Sequence, residues 1–236
     1  MEGEICPLKE IVEIKKKYKC YLYVDEAHSI GALGPNGKGI CDFAGVNPKD
    51  VDILMGTFTK SFGSVGGYIA GSSKLIGYLR SKGLSQFYCA STSPVCIQQI
   101  IGALDVIEGK DNSNIGKQKL KQLNENSIYF RKRLIELGFN VIGDEGSPVV
   151  CLSIYYPAAI AAFSRECYRR GVGAVVVGSP ATDIIGSRAR FCLSAAHTRE
   201  DLDFGLNAIS EAGEICNLKF HTPKKIVSNW LKKKIN

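Results

Sequence analysis

The chain is poor in the residues that build metal centres. It has three histidines in 236 residues, and none of its nine cysteines forms a C-x-x-C pair. Those two shortages exclude a zinc finger or a multi-histidine site as the basis of function. The cysteines stand at positions 6, 20, 41, 89, 96, 151, 167, 192 and 216, several of them in apolar runs. That scatter predicts reduced, buried thiols in a cytosol-facing protein, and argues against a disulfide framework. No apolar run reaches the roughly 20 residues that a membrane-crossing helix needs. Internal repeats and low-complexity segments are lacking too, which excludes solenoids and arrays. What remains is ordinary for a globular protein: 45% apolar and 22% charged residues. The length suits one large core or two smaller lobes. A formal net charge of +7 is open to two readings, an anionic partner (a phosphate, a coenzyme A tail, an acidic membrane surface) or simply a basic surface.

Against that background two short segments stand out. The apolar run Tyr21-Leu22-Tyr23-Val24 ends in Asp25-Glu26-Ala27-His28-Ser29. A second run, Val51 to Met55, leads into Gly56-Thr57-Phe58-Thr59-Lys60-Ser61-Phe62-Gly63. Cys20–Asp25 and Val51–Thr57 show little polar alternation, which predicts parallel strands buried on both faces. Gly66–Ala70 reads as a third, short strand. In a parallel sheet ligand groups collect at the strand C-termini, where Asp25 and the Thr57–Lys60 segment both fall.

Around these strands the pattern predicts helices over Pro7–Tyr18, Ser73–Leu79, Ser93–Ile107 and Asn114–Leu137. The third opens on Ser93-Pro94, a helix-entry pair. The fourth carries Leu120, Leu123, Ser127, Phe130, Leu134 and Leu137 on one face and stops at Gly138. A second lobe then begins near Phe139. It reads as strand Val149–Tyr155, helix Ala158–Arg170, strands Gly173–Val177 and Ala189–Ser194, and helix Arg199–Cys216. The division expected is therefore residues 1–138, part of a large cofactor-binding domain, and 139–236, a small α+β domain with a basic tail. The tail from Lys219 interleaves Ile226, Trp230 and Leu231 with lysines, the pattern of an interfacial or a solvated helix. Its ending, Lys233-Lys234-Ile235-Asn236, has the form of a dilysine retrieval signal.

The two strand ends suit a pyridoxal-phosphate site. Lys60 would be the Schiff-base amine, its proton loss favoured by burial. Thr57, Thr59 and Ser61 offer hydroxyls to a phosphate, and Gly56 and Gly63 permit close approach. Asp25 would hold a pyridine nitrogen protonated, and His28 would donate to the ring hydroxyl. Structural alternatives exist, a surface lysine and a helix-capping aspartate. Asp25-Glu26-Ala27-His28 also spells a helicase box. That rival needs an upstream phosphate loop, whereas Gly34-Pro35-Asn36-Gly37-Lys38-Gly39 is downstream and wrongly spaced. Strand alternation puts Arg188 and Arg190 on one face, and Arg190 is either a carboxylate clamp or half of a salt bridge. His197 reads as a helix-entry residue.

These motifs, with Pro180-Ala181-Thr182 and Arg188-Ala189-Arg190-Phe191-Cys192-Leu193-Ser194-Ala195-Ala196-His197, resemble the α-oxoamine synthases, fold-type I pyridoxal-phosphate enzymes. The forms T-F-T-K-S-F-G and R-A-R-F-C-L-S-A-A-H resemble the serine palmitoyltransferase branch of that family, in its catalytic subunits. The resemblance implies an α/β, aminotransferase-like fold with an incomplete large domain of mostly parallel sheet. It implies pyridoxal 5'-phosphate as cofactor, with Asp25, His28, Thr57, Thr59 and Lys60 binding it. It implies Ala90 and Ser91 reaching the cofactor phosphate of a partner subunit, and Arg190 holding the substrate carboxylate. The reaction implied is decarboxylating condensation of L-serine with palmitoyl-coenzyme A, the first step of sphingolipid synthesis, with Lys60 as general base. A heterodimer with a paralogous subunit, or a homodimer, is implied, on the cytosolic face of the endoplasmic reticulum. A non-catalytic scaffold subunit, or a sister synthase using glycine or alanine, is the alternative. Gly178 replaces an arginine of bacterial relatives, and Asp183 a more usual proline. Segments like Met1–Leu8 lie mid-chain in the family, so the chain is expected to be the C-terminal portion of a longer protein, inactive alone.

Overall fold

A computed structural model describes residues 1–221, with residues 85 and 86 in backbone only. The basic tail beyond His221, and with it the expected interfacial helix and dilysine ending, lies outside the described residues. Contacts divide the chain into two units, Cys6–Lys121 and Met1–Ile5 with Gln122 onward. The division falls inside helix α6 (Ile115–Glu136), upstream of the expected boundary at the helix end.

The first unit opens with α1 (Leu8–Tyr18), which buries Leu8 and Val12. Lysines 15 to 17 occupy its last turn, where positive charge opposes the helix dipole favourably. Lys15 reaches the Asp50 carbonyl at 2.7 Å and the Asp52 carboxylate at 2.8 Å, fastening the helix to the start of a strand. Strands β1 (Tyr23–Asp25) and β2 (Ile53–Thr57) pair in parallel, Asp25 opposite Met55. Strand β3 (Gly67–Gly71) runs antiparallel to β2, Thr57 opposite Gly67. The sheet is therefore mixed where a parallel third strand was expected. The link from Phe58 to Gly66 is too short for a crossover helix, so the chain can only double back. Helices α2 (Ile40–Ala44), α3 (Ser73–Lys82), α4 (Ser85–Tyr88) and α5 (Pro94–Glu108) complete the unit, α5 entering through Ser93 and Pro94 as expected.

The expected burial on both sheet faces is not observed. Only Val24 of β1 is buried, while Tyr21 is 92% and Tyr23 54% exposed. Tyrosine reads as apolar in a sequence run, yet its hydroxyl end tolerates water.

The second unit contains β4 (Val141–Ile142), β5 (Val149–Ser153), β6 (Val175–Val177) and β7 (Arg188–Cys192), in the order β4-β5-β7-β6, all antiparallel. Helices α7 (Pro157–Arg169) and α8 (Arg199–Ile215) and the second half of α6 supply the rest of its core. Phe130 and Leu134 of the predicted α6 stripe are buried there, with Phe139, Phe163 and Leu206. Every residue of β5 is buried. Helix α8 starts with a capping box: Thr198 accepts the Asp201 N–H and Asp201 accepts the Thr198 N–H.

All nine cysteines are free thiols, as expected, but only Cys41, Cys151 and Cys167 are buried. Cys6, Cys20, Cys89 and Cys192 are exposed, which corrects the expectation of general burial. They lie at strand and helix margins, where an apolar neighbourhood in sequence does not guarantee cover.

Candidate active site

The first unit brings together the residues singled out at the two strand ends. Asp25 closes β1 and is exposed, one carboxylate oxygen accepting the Ala27 N–H at 2.8 Å. Beyond the neighbouring strand end, Thr57 accepts from Lys60 Nζ and from the Thr59 hydroxyl, both at 3.4 Å. One amine and two hydroxyls thus converge at the C-terminal end of β2. Lys60 is exposed, where burial was expected. Its neighbours Phe58 and Phe62 account for that. They meet edge to face, 5.3 Å between centroids, and Phe62 is 2% exposed. The rings anchor the loop inward, and the lysine between them is turned out.

The loop is held from several sides. The Phe58 N–H donates to Gly66 at 2.9 Å, and the Ser64 N–H to Phe58 at 2.9 Å. From α5, Gln99 donates to the Phe62 carbonyl at 3.2 Å, and the Cys96 carbonyl accepts from the Ser64 hydroxyl at 3.0 Å. Ser61 lies against Gly31, in the loop that follows Asp25. A β-carbon on Gly31 would stand 2.6 Å from the Ser61 β-carbon.

Sequence reasoning passed over Glu26 and Tyr68. Glu26 is 3% exposed, and its carboxylate takes the Ile40 N–H at 2.9 Å together with the Cys41 N–H and the Tyr68 hydroxyl, while the Ser29 hydroxyl donates to the Glu26 main-chain carbonyl at 3.3 Å. Burial pushes its carboxyl above the usual glutamate range, and those donors pull the other way. Burial and then the Glu26 charge push the Tyr68 phenol up to about 12. Burial, then Glu26, moves the Cys41 thiol to about 11. The expected close approach at Gly56 is real, but its occupant is protein. A β-carbon there would lie 2.4 to 2.5 Å from the Tyr68 ring. The available clue was register: in a hairpin across so short a loop, Tyr68 falls opposite Gly56.

The remaining candidates are placed as follows. His28 is exposed in the loop after β1. Ala90 and Ser91 are exposed between α4 and α5. In the second unit, Arg188 and Arg190 do share a face of β7, alternating with buried Ala189 and Phe191. Arg188 is committed: its guanidinium donates to Glu2 at 2.9 Å and to the Gly186 carbonyl at 2.8 Å. Arg190 is half-buried, in register with Cys151 and Val175. His197 accepts the Ser194 N–H on Nδ1 at 3.2 Å, as suits a helix-entry residue. Buried Asn126, also missed, donates to the Ser194 and His197 carbonyls at 3.1 and 2.9 Å and clips that turn. Among the described residues no group of histidine, cysteine or acid could hold a metal ion, and no helix is long and apolar enough to cross a membrane.

A lysine loop and an acid closing adjacent parallel strands make an aminotransferase-like arrangement. The family model for aminotransferase class I and II matches residues 1–209, and the chain belongs to that family. Within it, the similarity runs to serine palmitoyltransferases. The chain is 54% identical over 228 residues to serine palmitoyltransferase 2 of Dictyostelium discoideum, covering 97% of this chain and 46% of that protein. It is similar to Sphingomonas wittichii serine palmitoyltransferase with a TM-score of 0.84 at 27% identity, over 93% of this chain and 53% of the other. SPT solved with a PLP internal aldimine gives a TM-score of 0.83 at 26% identity, over 92% and 53%. The chain spans about half the length of the curated relatives it matches.

Proposed function

We propose that this chain carries the lysine-bearing part of a pyridoxal-phosphate-dependent serine palmitoyltransferase, which condenses L-serine with palmitoyl-coenzyme A and releases carbon dioxide. The observation that carries this reading is the hydrogen-bonded set Thr57, Thr59 and Lys60 at the end of β2, in parallel register with the strand that Asp25 closes. The donor set fits the cofactor chemically: an amine for its aldehyde, hydroxyls for its phosphate and a carboxylate for its ring nitrogen. When bound, pyridoxal phosphate supplies an electron sink for a carbanion at the amino-acid α-carbon.

The chain's own residues would then do the following. Lys60 would hold the cofactor through Nζ and would take the serine α-proton on that same atom. Thr57 and Thr59 bind phosphate oxygens, and Thr57, already the acceptor for Lys60, orients the amine. Asp25, fixed by the Ala27 N–H, holds the ring-nitrogen proton, and His28 donates to the ring oxygen. Arg190 pairs with the serine carboxylate, a charge-assisted contact worth about 1.5–3 kcal/mol. Ala90 and Ser91 extend toward the phosphate of a second subunit, so the active assembly is a dimer, with a paralogous subunit or a second copy. Its site of work is the cytosolic face of the endoplasmic reticulum membrane.

Borohydride reduction of the full-length protein loaded with pyridoxal phosphate tests the reading. The cofactor is expected on the tryptic peptide containing Lys60, and Lys60→Ala is expected to abolish both label and product. A label on another lysine overturns the proposal. Conversion of glycine or alanine faster than serine, in a panel of acyl-coenzyme A esters, overturns the substrate assignment alone.

A further inference from the structure

We infer that Glu26 and Tyr68 form a positioning brace that fixes the Lys60 loop against the strand end bearing Asp25; this rests on the reading of Lys60 as the cofactor amine. Glu26 directly follows Asp25, and its N–H continues the strand pairing by donating to the Met55 carbonyl at 2.6 Å. Its buried carboxylate is held by donors from two directions, the start of α2 and Tyr68 from β3, and the Ser29 hydroxyl donates to the Glu26 main-chain carbonyl at 3.3 Å. A side chain so tied has one orientation, and the backbone at Asp25 is fixed with it.

Tyr68 carries the restraint across the sheet. Its ring lies over Gly56 in space that no β-carbon could share. It also packs against Phe58, 5.5 Å between centroids, and Phe58 packs against Phe62. Lys60 is midway between those two phenylalanines. One tyrosine therefore supports the lysine loop with its ring and meets the Asp25 strand end with its hydroxyl. Capping of α2 explains the bonds from Ile40 and Cys41, but it explains neither the Tyr68 hydroxyl nor the missing side chain at position 56. A buried carboxylate is also a poor route to stability, because desolvation offsets most of what its partners return. Geometry, not stability, is what this pair contributes.

The test uses full-length protein with Tyr68→Phe, Glu26→Gln and the double variant. In cofactor-free protein, Tyr68→Phe is expected to speed hydrogen exchange of the loop amides of residues 58–66 by about tenfold or more, with β5 amides unchanged. In loaded protein it is expected to lower kcat by about tenfold at unchanged KM and to shift the pH dependence of the cofactor absorbance. The double variant should be no worse than the poorer single one. Should one single variant fail to fold, loop exchange in the other decides. Loop exchange and kcat within about twofold of wild type, or additive losses, overturn the brace when borohydride still labels Lys60. If wild-type protein shows no label on Lys60, the site reading fails and the inference falls with it.

Discussion

The two units solve the same problem, a small sheet with helices, to different degrees. In the second unit β5 is buried along its whole length, and a continuous core runs from Phe130 through Phe163 to Leu206 and Ile209. In the first, β3 exposes four of its five residues, and Tyr21, Tyr78, Leu84 and Val95 are each more than half exposed. The first unit holds every charged or hydroxyl residue proposed to bind the cofactor, and Phe58, Phe62 and Tyr68 pack as a local aromatic cluster under one loop. Burial is deeper in one unit, and the residues proposed to hold the cofactor lie in the other. Loops that carry function rest on a rigid support, and beneath the Lys60 loop that support includes an aromatic cluster.

The largest test of this contrast is Phe163→Ala. The side chain is fully buried, and its loss is expected to cost about 3–5 kcal/mol in urea unfolding of the second unit. Tyr21→Ala, at a residue 92% exposed in the first unit, should stay within about 0.5 kcal/mol. Equal costs would erase the distinction. Next is Gly56→Ala. The added methyl must push the Tyr68 ring aside, so about 1–3 kcal/mol is expected, together with weaker borohydride labelling of Lys60. Unchanged labelling at lowered stability would mean that the aromatic support and the lysine loop are uncoupled. Asn126→Ala leaves two carbonyls of the Ser194–His197 turn without their donor, and about 1–2 kcal/mol is expected from the second unit alone.

Much of this was legible in the sequence, for local reasons. Asp25 and Lys60 follow strand ends, and a strand end is announced by an apolar run meeting small and polar residues. Ser93-Pro94 and Thr198 mark their helix starts through short-range geometry. The motifs also placed the chain among serine palmitoyltransferases, as its relatives bear out. What escaped depended on contacts far apart in sequence. Glu26 reads as a solvated charge until α2 and β3 fold over it. The direction of β3 follows from a loop length, not from residue pattern. The pairing of Arg188 with Glu2, across nearly the whole chain, has no sequence mark at all.

The smallest expected effect concerns acid. In the first unit, the hydrogen bond from Lys15, then that from the Leu22 N–H, holds the Asp52 carboxyl below its ordinary value of 3.8. A carboxyl lowered by folding stabilises the native state above its unfolded pKa, and that contribution is lost as pH falls through the folded value. Glu26 in the same unit has the opposite sign. Its carboxyl is raised by burial, so folding favours its protonated form, and the penalty grows as pH rises past the ordinary value of 4.5. Asp52→Asn keeps an acceptor for Leu22 and removes the charge, so it should cost under about 1 kcal/mol at neutral pH. As pH falls below 3.8 and through the lowered folded value, the variant and the wild type should converge. Glu26→Gln should instead flatten the decline above that range. Urea midpoints of the first unit between pH 3 and 7, followed by tyrosine fluorescence, separate the two. If both variants moved the same limb of the profile, the buried acid would be behaving as a surface one, and the support beneath Lys60 would be wetter than its geometry indicates.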